Sequence, residues 1–179
     1  MRQPALMPIN TQETCDTSDM GNPPALDAID RRILQLLQTE GRSTYDELAQ
    51  AVGLSASAVL RRVRRLEQDG VIAGYVALVA PDRVGLGLTA YINVRLEKHT
   101  DGHKRSPMDL FAASVQSWPE VVECSALTGE MDFLLRVVVR DMAHYSRFIM
   151  EQVLRHPSVQ DCKTSFVLQR VKGTTALAV

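Results

Sequence analysis

A short basic segment, residues 55–70, constrains the fold of this chain more than any other stretch. It reads SASAVLRRVRRLEQDG. Ser55 can cap the start of a helix with its hydroxyl, and Gly70 can adopt the left-handed conformation that closes one. An apolar stripe at helical spacing contains Val59, Val63 and Leu66. The other side carries Ser57, Arg61, Arg64 and Arg65, with Arg62 on a flank. The pattern predicts a helix that is buried on one side and presents arginines to phosphates and base edges on the other.

Two shorter helices are predicted before this segment. Asp27 caps the first, which ends near Gly41, and Thr44 with Glu47 forms a capping box at the start of the second. Gly53 permits the sharp turn that a helix-turn-helix needs. The apolar faces contain Ile29, Ile33, Leu36 and Leu37 in the first helix and Leu48, Ala49 and Val52 in the second. An isolated basic run usually forms a solvated face, but a basic third helix in this context favours DNA binding.

The composition restricts the other classes of function. The net charge is −1 over 179 residues, so affinity for DNA comes from a confined patch that dimerisation would duplicate. Cys15, Cys124 and Cys162 are isolated, which indicates neither a disulfide framework nor a zinc site. Neither a membrane span nor a signal peptide is recognisable, and together with the cysteine pattern this predicts a cytoplasmic protein.

The chain divides by pattern into four regions. These are a disordered N-terminal arm at 1–25, the helical module at 26–73, a linker strand and hinge at 74–87, and a second domain at 88–179. The linker strand begins in the β-branched run 71–79. The arm contains Pro4, Pro8, Pro23 and Pro24 and has no hydrophobic periodicity.

Strands and helices alternate in the second domain. Strands are predicted at residues 88–97, 121–128, 131–140 and 158–171, and helices at 108–118 and from the cap at Asp141 through Leu154. The order βαββαβ predicts an α+β fold with a ferredoxin-like sheet. Because two helices cover only one face of such a sheet, we expect the other face to pack against a second copy of the chain.

Several short motifs, in this order, resemble those of the Lrp/AsnC (leucine-responsive, feast/famine) regulators. They are LDAIDRRIL at 26–34, GR at 41–42, LS at 54–55, RVRRLE at 62–67 with GVI at 70–72, PEV at 119–121, TGEMD at 128–132 and VLQRVK at 167–172. The resemblance implies a winged-helix-like DNA-binding domain followed by a ferredoxin-like domain that binds an amino acid effector. It also implies homodimers that assemble into octamers, with the effector between dimers.

The turn at 128–132 departs from the family pattern at one position. The family usually has Tyr or Phe where this chain has Met131, and a flexible thioether favours an apolar guest such as leucine or methionine. Gly129 would let backbone N–H groups approach the ligand. Asp132 would accept the α-ammonium group or, alternatively, cap the turn. No other cofactor is expected.

These observations predict a sequence-specific transcriptional regulator modulated by a small amino acid, and not an enzyme. Arg61 is expected to read a base edge, Arg64 and Arg65 to contact phosphates, and Ser55 and Ser57 to hold phosphates at the helix start. Arg62 or Arg65 alternatively pairs with an aspartate of the first helix, Asp27 or Asp30, instead of contacting DNA; this alternative applies most to Arg62, which borders the buried stripe.

Two alternatives of other classes are an architectural, nucleoid-type DNA-wrapping protein and a ferredoxin-like enzyme with an added DNA-binding module. The enzyme alternative lacks a paired acid/base or nucleophile motif. His99 and His103 have the spacing of helical zinc ligands but lie in a loop-like run, which disfavours metal binding.

Overall fold

The computed structural model describes residues 24–98 and 106–179. They form two compact units. The first, called here the DNA-binding unit, contains residues 24–77 together with Gly173–Val179. The second, the sheet unit, spans Leu78–Lys172. The predicted N-terminal arm lies almost wholly outside the described residues.

The DNA-binding unit contains the three predicted helices, α1 (Ala28–Thr39), α2 (Tyr45–Val52) and α3 (Ala56–Gln68). Asp27 caps α1 and a capping box begins α2 at Thr44, as predicted, and Asp27 also forms a capping box with Asp30. Gly53, with a φ of 68°, makes the turn into α3. The buried core consists of Ile33, Leu34, Leu48, Ala49, Val59, Val63 and Leu66. The apolar stripe of α3 is therefore confirmed as the buried side of the helix.

The sheet unit contains β1 (Leu88–Leu96), α4 (Pro107–Val115), β2 (Val121–Ala126), β3 (Phe133–Val139), α5 (Met142–Phe148) and β4 (Val159–Phe166). Helix α5 continues into a π-helical turn, Ile149–Val153. The strands form one antiparallel sheet in the order β2-β3-β1-β4. This order confirms the ferredoxin-like topology.

The core of the sheet unit lies between α4, α5 and one face of the sheet. It includes the alternate residues of β1, Ala90, Ile92, Val94 and Leu96, which are all at most 4% exposed. The intervening residues, among them Tyr91 and Asn93, lie on the opposite, open face. In register, Tyr91 faces Arg136 of β3 and Ser165 of β4.

Two predicted strands differ from the structure by more than two residues at an end. Residues 73–80 contain no strand, because no described segment of this chain pairs with them. The last strand ends at Phe166 and not at residue 171. Its partner β1 begins at Leu88, and the bond from the Val167 N–H to the Thr89 carbonyl uses the last available position. The early end of the last strand was not predicted because hydrophobic patterning does not indicate where a partner strand ends.

None of the helices in the described part of the chain is long and apolar enough to cross a membrane.

Candidate nucleic-acid interface and ligand cleft

The start of α3 is capped by Ser55 and carries no negative charge. The Ser55 hydroxyl accepts a hydrogen bond from the Ala58 N–H at 3.3 Å, and the Ser57 hydroxyl lies 3.1 Å from it. The first turns of α1 and α2 contain acidic residues, but the first turn of α3 contains none. The partial positive charge at this helix end is therefore not neutralised by its own side chains, and an anion can approach it.

Two of the four arginines of α3 are held by the aspartates of α1. The Arg62 guanidinium lies 2.7 Å from a carboxylate oxygen of Asp27 and 2.7 Å from one of Asp30. The Arg65 guanidinium lies 2.5 Å from the other oxygen of Asp30. The Asp30 side chain is only 1% exposed. The network fixes α3 against α1 through two charge-assisted contacts on a buried carboxylate.

The pKa shifts agree with this geometry. The backbone N–H of Asp30, followed by the Arg62 guanidinium, lowers the pKa of Asp27 below its ordinary value. The hydrogen bonds to Asp27 and then Asp30 raise the pKa of Arg62. Asp27 and Arg62 are therefore both charged at neutral pH.

The network changes the roles expected of these two arginines. Arg62 pairs with Asp27 and Asp30 inside the unit, which is the alternative role given for it above. Arg65 also pairs inside the unit, because its long side chain reaches back to Asp30, and its contact with a phosphate stays a prediction. Arg61 and Arg64 are both exposed, and no carboxylate among the described residues forms an ion pair with either.

A contact that sequence reasoning missed lies at the other end of α3. The Tyr75 hydroxyl donates a hydrogen bond to the Glu67 carboxylate at 3.0 Å. Burial, and then this bond to an anion, raises the pKa of Tyr75 to about 12. The only signal in the sequence was an aromatic residue, Tyr75, eight positions after the acidic residue Glu67.

A cleft in the sheet unit contains two of the three predicted effector residues. Its lining consists of Arg95, Leu96, Glu97, Lys98, Ser106, Pro107, Met108, Gly129, Glu130, Asp132 and Gln160. Segments far apart in the sequence therefore meet there. Arg95 and Lys98 bring positive charge to the same place as Asp132, a combination that suits a zwitterion.

Asp132 links the turn to β1 through one of its two carboxylate oxygens. Its Oδ2 accepts a hydrogen bond from the Leu96 N–H at 2.7 Å, and its own N–H donates to the Val94 carbonyl at 2.9 Å. No described residue donates to Oδ1. The capping alternative is therefore present in the structure, and the second oxygen is available for a ligand.

Gly129 and Met131 have different positions in this turn. Gly129 has a φ of 118°, which disfavours any residue with a side chain, and the space where a Cβ would lie is open. Met131 does not line the cleft. Its sulfur lies 3.9 Å from the guanidinium of Arg95, which also donates to the Glu130 carbonyl at 3.2 Å. Arg95 was missed because its alternation in β1 identified it only as a residue of the polar face.

The cysteines and the possible metal ligands among the described residues do not form a reactive site. Burial raises the pKa of the Cys124 thiol to about 11 and raises that of Cys162, so both are protonated at neutral pH. Across residues 24–98 and 106–179, no three His, Cys, Asp or Glu side chains come together as a metal site. Cys15, His99 and His103 lie outside the described residues.

The helix-turn-helix with its exposed arginines defines a DNA-binding protein. Comparisons with known proteins extend this assignment. Residues 26–73 match the family described as winged helix-turn-helix DNA-binding, and residues 89–177 match the Lrp/AsnC ligand binding domain.

Individual relatives agree with these family matches. The chain is 42% identical over 154 residues to the leucine-responsive regulatory protein of Rhizobium meliloti (strain 1021), which covers 86% of this chain and 96% of the relative. It is 37% identical over 155 residues to the DNA-binding transcriptional activator DecR of Escherichia coli (strain K12), covering 86% and 99%.

A solved structure of a transcriptional regulator from Neisseria meningitidis, in complex with L-Met, matches with a TM-score of 0.81. It is 46% identical in sequence and covers 86% of this chain and 97% of that one. The chain belongs to the Lrp/AsnC family and is a DNA-binding transcriptional regulator.

Proposed function

We propose that this regulator inserts α3 into the major groove and reads sequence mainly through Arg61. The observation that carries the proposal is the division of the four arginines. Arg62 and Arg65 hold α3 against α1, while Arg61 and Arg64 are exposed and pair with no carboxylate of the described residues. A rigidly held helix with free guanidinium groups can contact base edges and phosphates. Ser55 and Ser57 hold a phosphate at the open start of the helix.

The DNA contacts are tested by alanine substitutions over a salt series. Arg61→Ala is expected to weaken binding to a DNA site selected from a random pool by about 1–3 kcal/mol and to relax the preference at one base pair. Arg64→Ala is expected to weaken binding to selected and random DNA alike and to flatten the salt dependence. Arg155→Ala, an exposed arginine of the sheet unit, controls for the change in total charge. An equal loss on both DNAs for Arg61→Ala contradicts the assigned role.

The proposed effector is an amino acid with an apolar side chain, and methionine is the first candidate. The similar regulator from Neisseria meningitidis was solved with L-Met. In the present chain, the free Oδ1 of Asp132 would accept the α-ammonium group. Arg95, Lys98 and the N–H groups of the turn at Gly129 would bind the α-carboxylate. Occupation of the cleft then changes the affinity for DNA, which is the regulatory step.

Thermal unfolding against the twenty amino acids tests the effector. A ligand that binds the folded state raises the midpoint by mass action. Methionine or leucine should give the largest rise and should change affinity for the selected DNA site. An equal response to all twenty amino acids contradicts the proposal.

The proposed assembly is a homodimer, which in turn forms an octamer, in the cytoplasm. The open face of the sheet supports a self-complementary contact: Tyr91 is 39% exposed on it, and Leu134 lies in register with Asn93 on the same face. A twofold axis brings the same patch together from both copies. The exposed apolar residues of the linker, Val76 and Val79, extend the contact.

Light scattering of the full chain tests the assembly. A monodisperse species of 19.9 kDa at micromolar concentration contradicts it. Leu134→Lys is expected to dissociate the dimer, whereas Met142→Lys, at an exposed apolar residue of α5, should leave the mass unchanged.

A further inference from the structure

The last residues of the chain belong to the DNA-binding unit, although residues 78–172 separate them from its helices. The chain therefore leaves this unit at Ala77 and returns to it at Gly173. The returning segment lies along α1, and neither the DNA contacts nor the effector cleft accounts for it. Its contacts are polar at two glutamines and apolar at one valine.

Gln38 of α1 pairs with the backbone of Leu177 in both directions. The Leu177 N–H donates to Gln38 Oε1 at 2.6 Å, and Gln38 Nε2 donates to the Leu177 carbonyl at 3.1 Å. A side-chain carboxamide can thus replace a neighbouring strand, because it offers one acceptor and one donor side by side. Such a contact recognises a peptide backbone and leaves the side chain of Leu177 exposed.

Gln35, one turn earlier in α1, makes a second contact of the same kind. Its Nε2 donates to the Val179 carbonyl at 3.1 Å. Since the earlier glutamine meets the later tail residue, the segment runs antiparallel to α1. Val179 is partly buried and packs against the apolar core of the unit. Two backbone contacts and one apolar anchor together define a direction and a register.

We infer that the outer face of α1 is a peptide-docking surface, and that its occupant is the C-terminal segment 175–179 of the same chain. Docking closes the DNA-binding unit with residues from the far end of the sequence. The chemistry it requires is an unpaired peptide backbone followed by a small apolar side chain, which this segment provides.

Hydrogen exchange of the full-length protein tests the inference at one amide. The Leu177 N–H should be protected, and Gln38→Ala should speed its exchange about three- to tenfold, the value of one hydrogen bond. Gln50→Ala makes the same change on an exposed position of α2 and should leave that exchange unaltered. The exchange of the α1 amides in Gln38→Ala shows whether the helix itself is intact.

Two outcomes overturn the inference. One is a Leu177 amide that exchanges at the rate of an unstructured peptide in the unmodified protein, or that keeps its protection in Gln38→Ala. The other is protection that rises with protein concentration, because the tail of a second copy would then be the occupant.

A synthetic peptide with the sequence of residues 174–179 should compete with the attached tail only at high concentration, since the attached tail has the advantage of a high effective concentration.

Discussion

Two carboxylates, one in each unit, are used in opposite ways. Asp30 is 1% exposed, and both of its oxygens are occupied, one by Arg62 and the other by Arg65 and the Asp27 N–H. Asp132 is partly buried, and among the described residues only the Leu96 N–H donates to its carboxylate, at one oxygen. A carboxylate that is fully satisfied within the fold is structural, whereas one with a free oxygen in a cleft can also bind a ligand. The difference lies in the partners, since both residues are acids at the start of an element.

The largest effect is expected when Asp30 is removed. Asp30→Ala leaves two guanidinium groups without their common partner and breaks the capping box of α1. Because both arginines can still reach water, the expected loss is about 2–3 kcal/mol of unfolding free energy, below that of a fully buried pair. Urea unfolding measures it. Asp46→Ala, an exposed first-turn acid of α2, is the control, and an equal loss in the two variants would mean that the network contributes little.

Substitution of Asp132 is expected to cost less unfolding free energy than substitution of Asp30 but to weaken binding of the amino acid. Asp132→Asn keeps an oxygen for the Leu96 N–H and removes the charge, so the fold should persist while affinity for the stabilising amino acid falls. Asp132→Ala also loses the bond to Leu96 and should cost about 1–2 kcal/mol. Calorimetry and thermal unfolding separate the two. If Asp132→Asn binds the amino acid normally, the capping role is sufficient to explain this residue.

The smallest effect is a difference in pH response between the units. His156 in the sheet unit accepts the Ser158 N–H on Nδ1, so its neutral form donates from Nε2 to Ser114, 3.0 Å away. Burial lowers the pKa of His156 below its ordinary value. As the pH falls, the unfolded chain therefore binds this proton before the folded protein does. The contribution of neutral His156 to the unfolding free energy is complete above about pH 6.5 and is lost as the pH falls below that value.

The described DNA-binding unit has no histidine, so its amides should not share this response. Hydrogen exchange at pH 7.5 and 5.5 compares the units, after correction for the intrinsic rate. His156→Gln should reduce the loss of protection in the sheet unit at pH 5.5. A loss of equal size in both units would assign the effect to other groups.

The helices of the DNA-binding unit could be predicted to within one or two residues because their signals are local. Asp27, Thr44 and Ser55 are caps whose partners lie three residues away. The direction of a long side chain depends on partners that are distant in the sequence, so a local pattern does not predict it. On a helical wheel Arg65 lies opposite the buried stripe, yet its guanidinium reaches Asp30, 35 positions earlier.

The cleft could be predicted only in part. The turn at Gly129 and Asp132 has a recognisable pattern, but Arg95, Met108 and Gln160 meet it through strand pairing and helix placement. The register shift between Arg95 and Leu96 in the β1–β4 pair lies at the same place and has no signal in hydrophobic alternation. The sequence therefore predicts which turn matters, and the three-dimensional fold determines what surrounds it.

The return of the chain to its first unit has a consequence for biosynthesis. Helices α1, α2 and α3 leave the ribosome early, but the segment that docks on α1 is translated only after residues 78–172. At common translation speeds this interval lasts roughly 5 to 20 seconds. During that time the nascent chain presents Gln35 and Gln38 to the surroundings without their partners. The helices of the DNA-binding unit are thus translated before the sheet unit, but their contacts with the C-terminal segment form only after it.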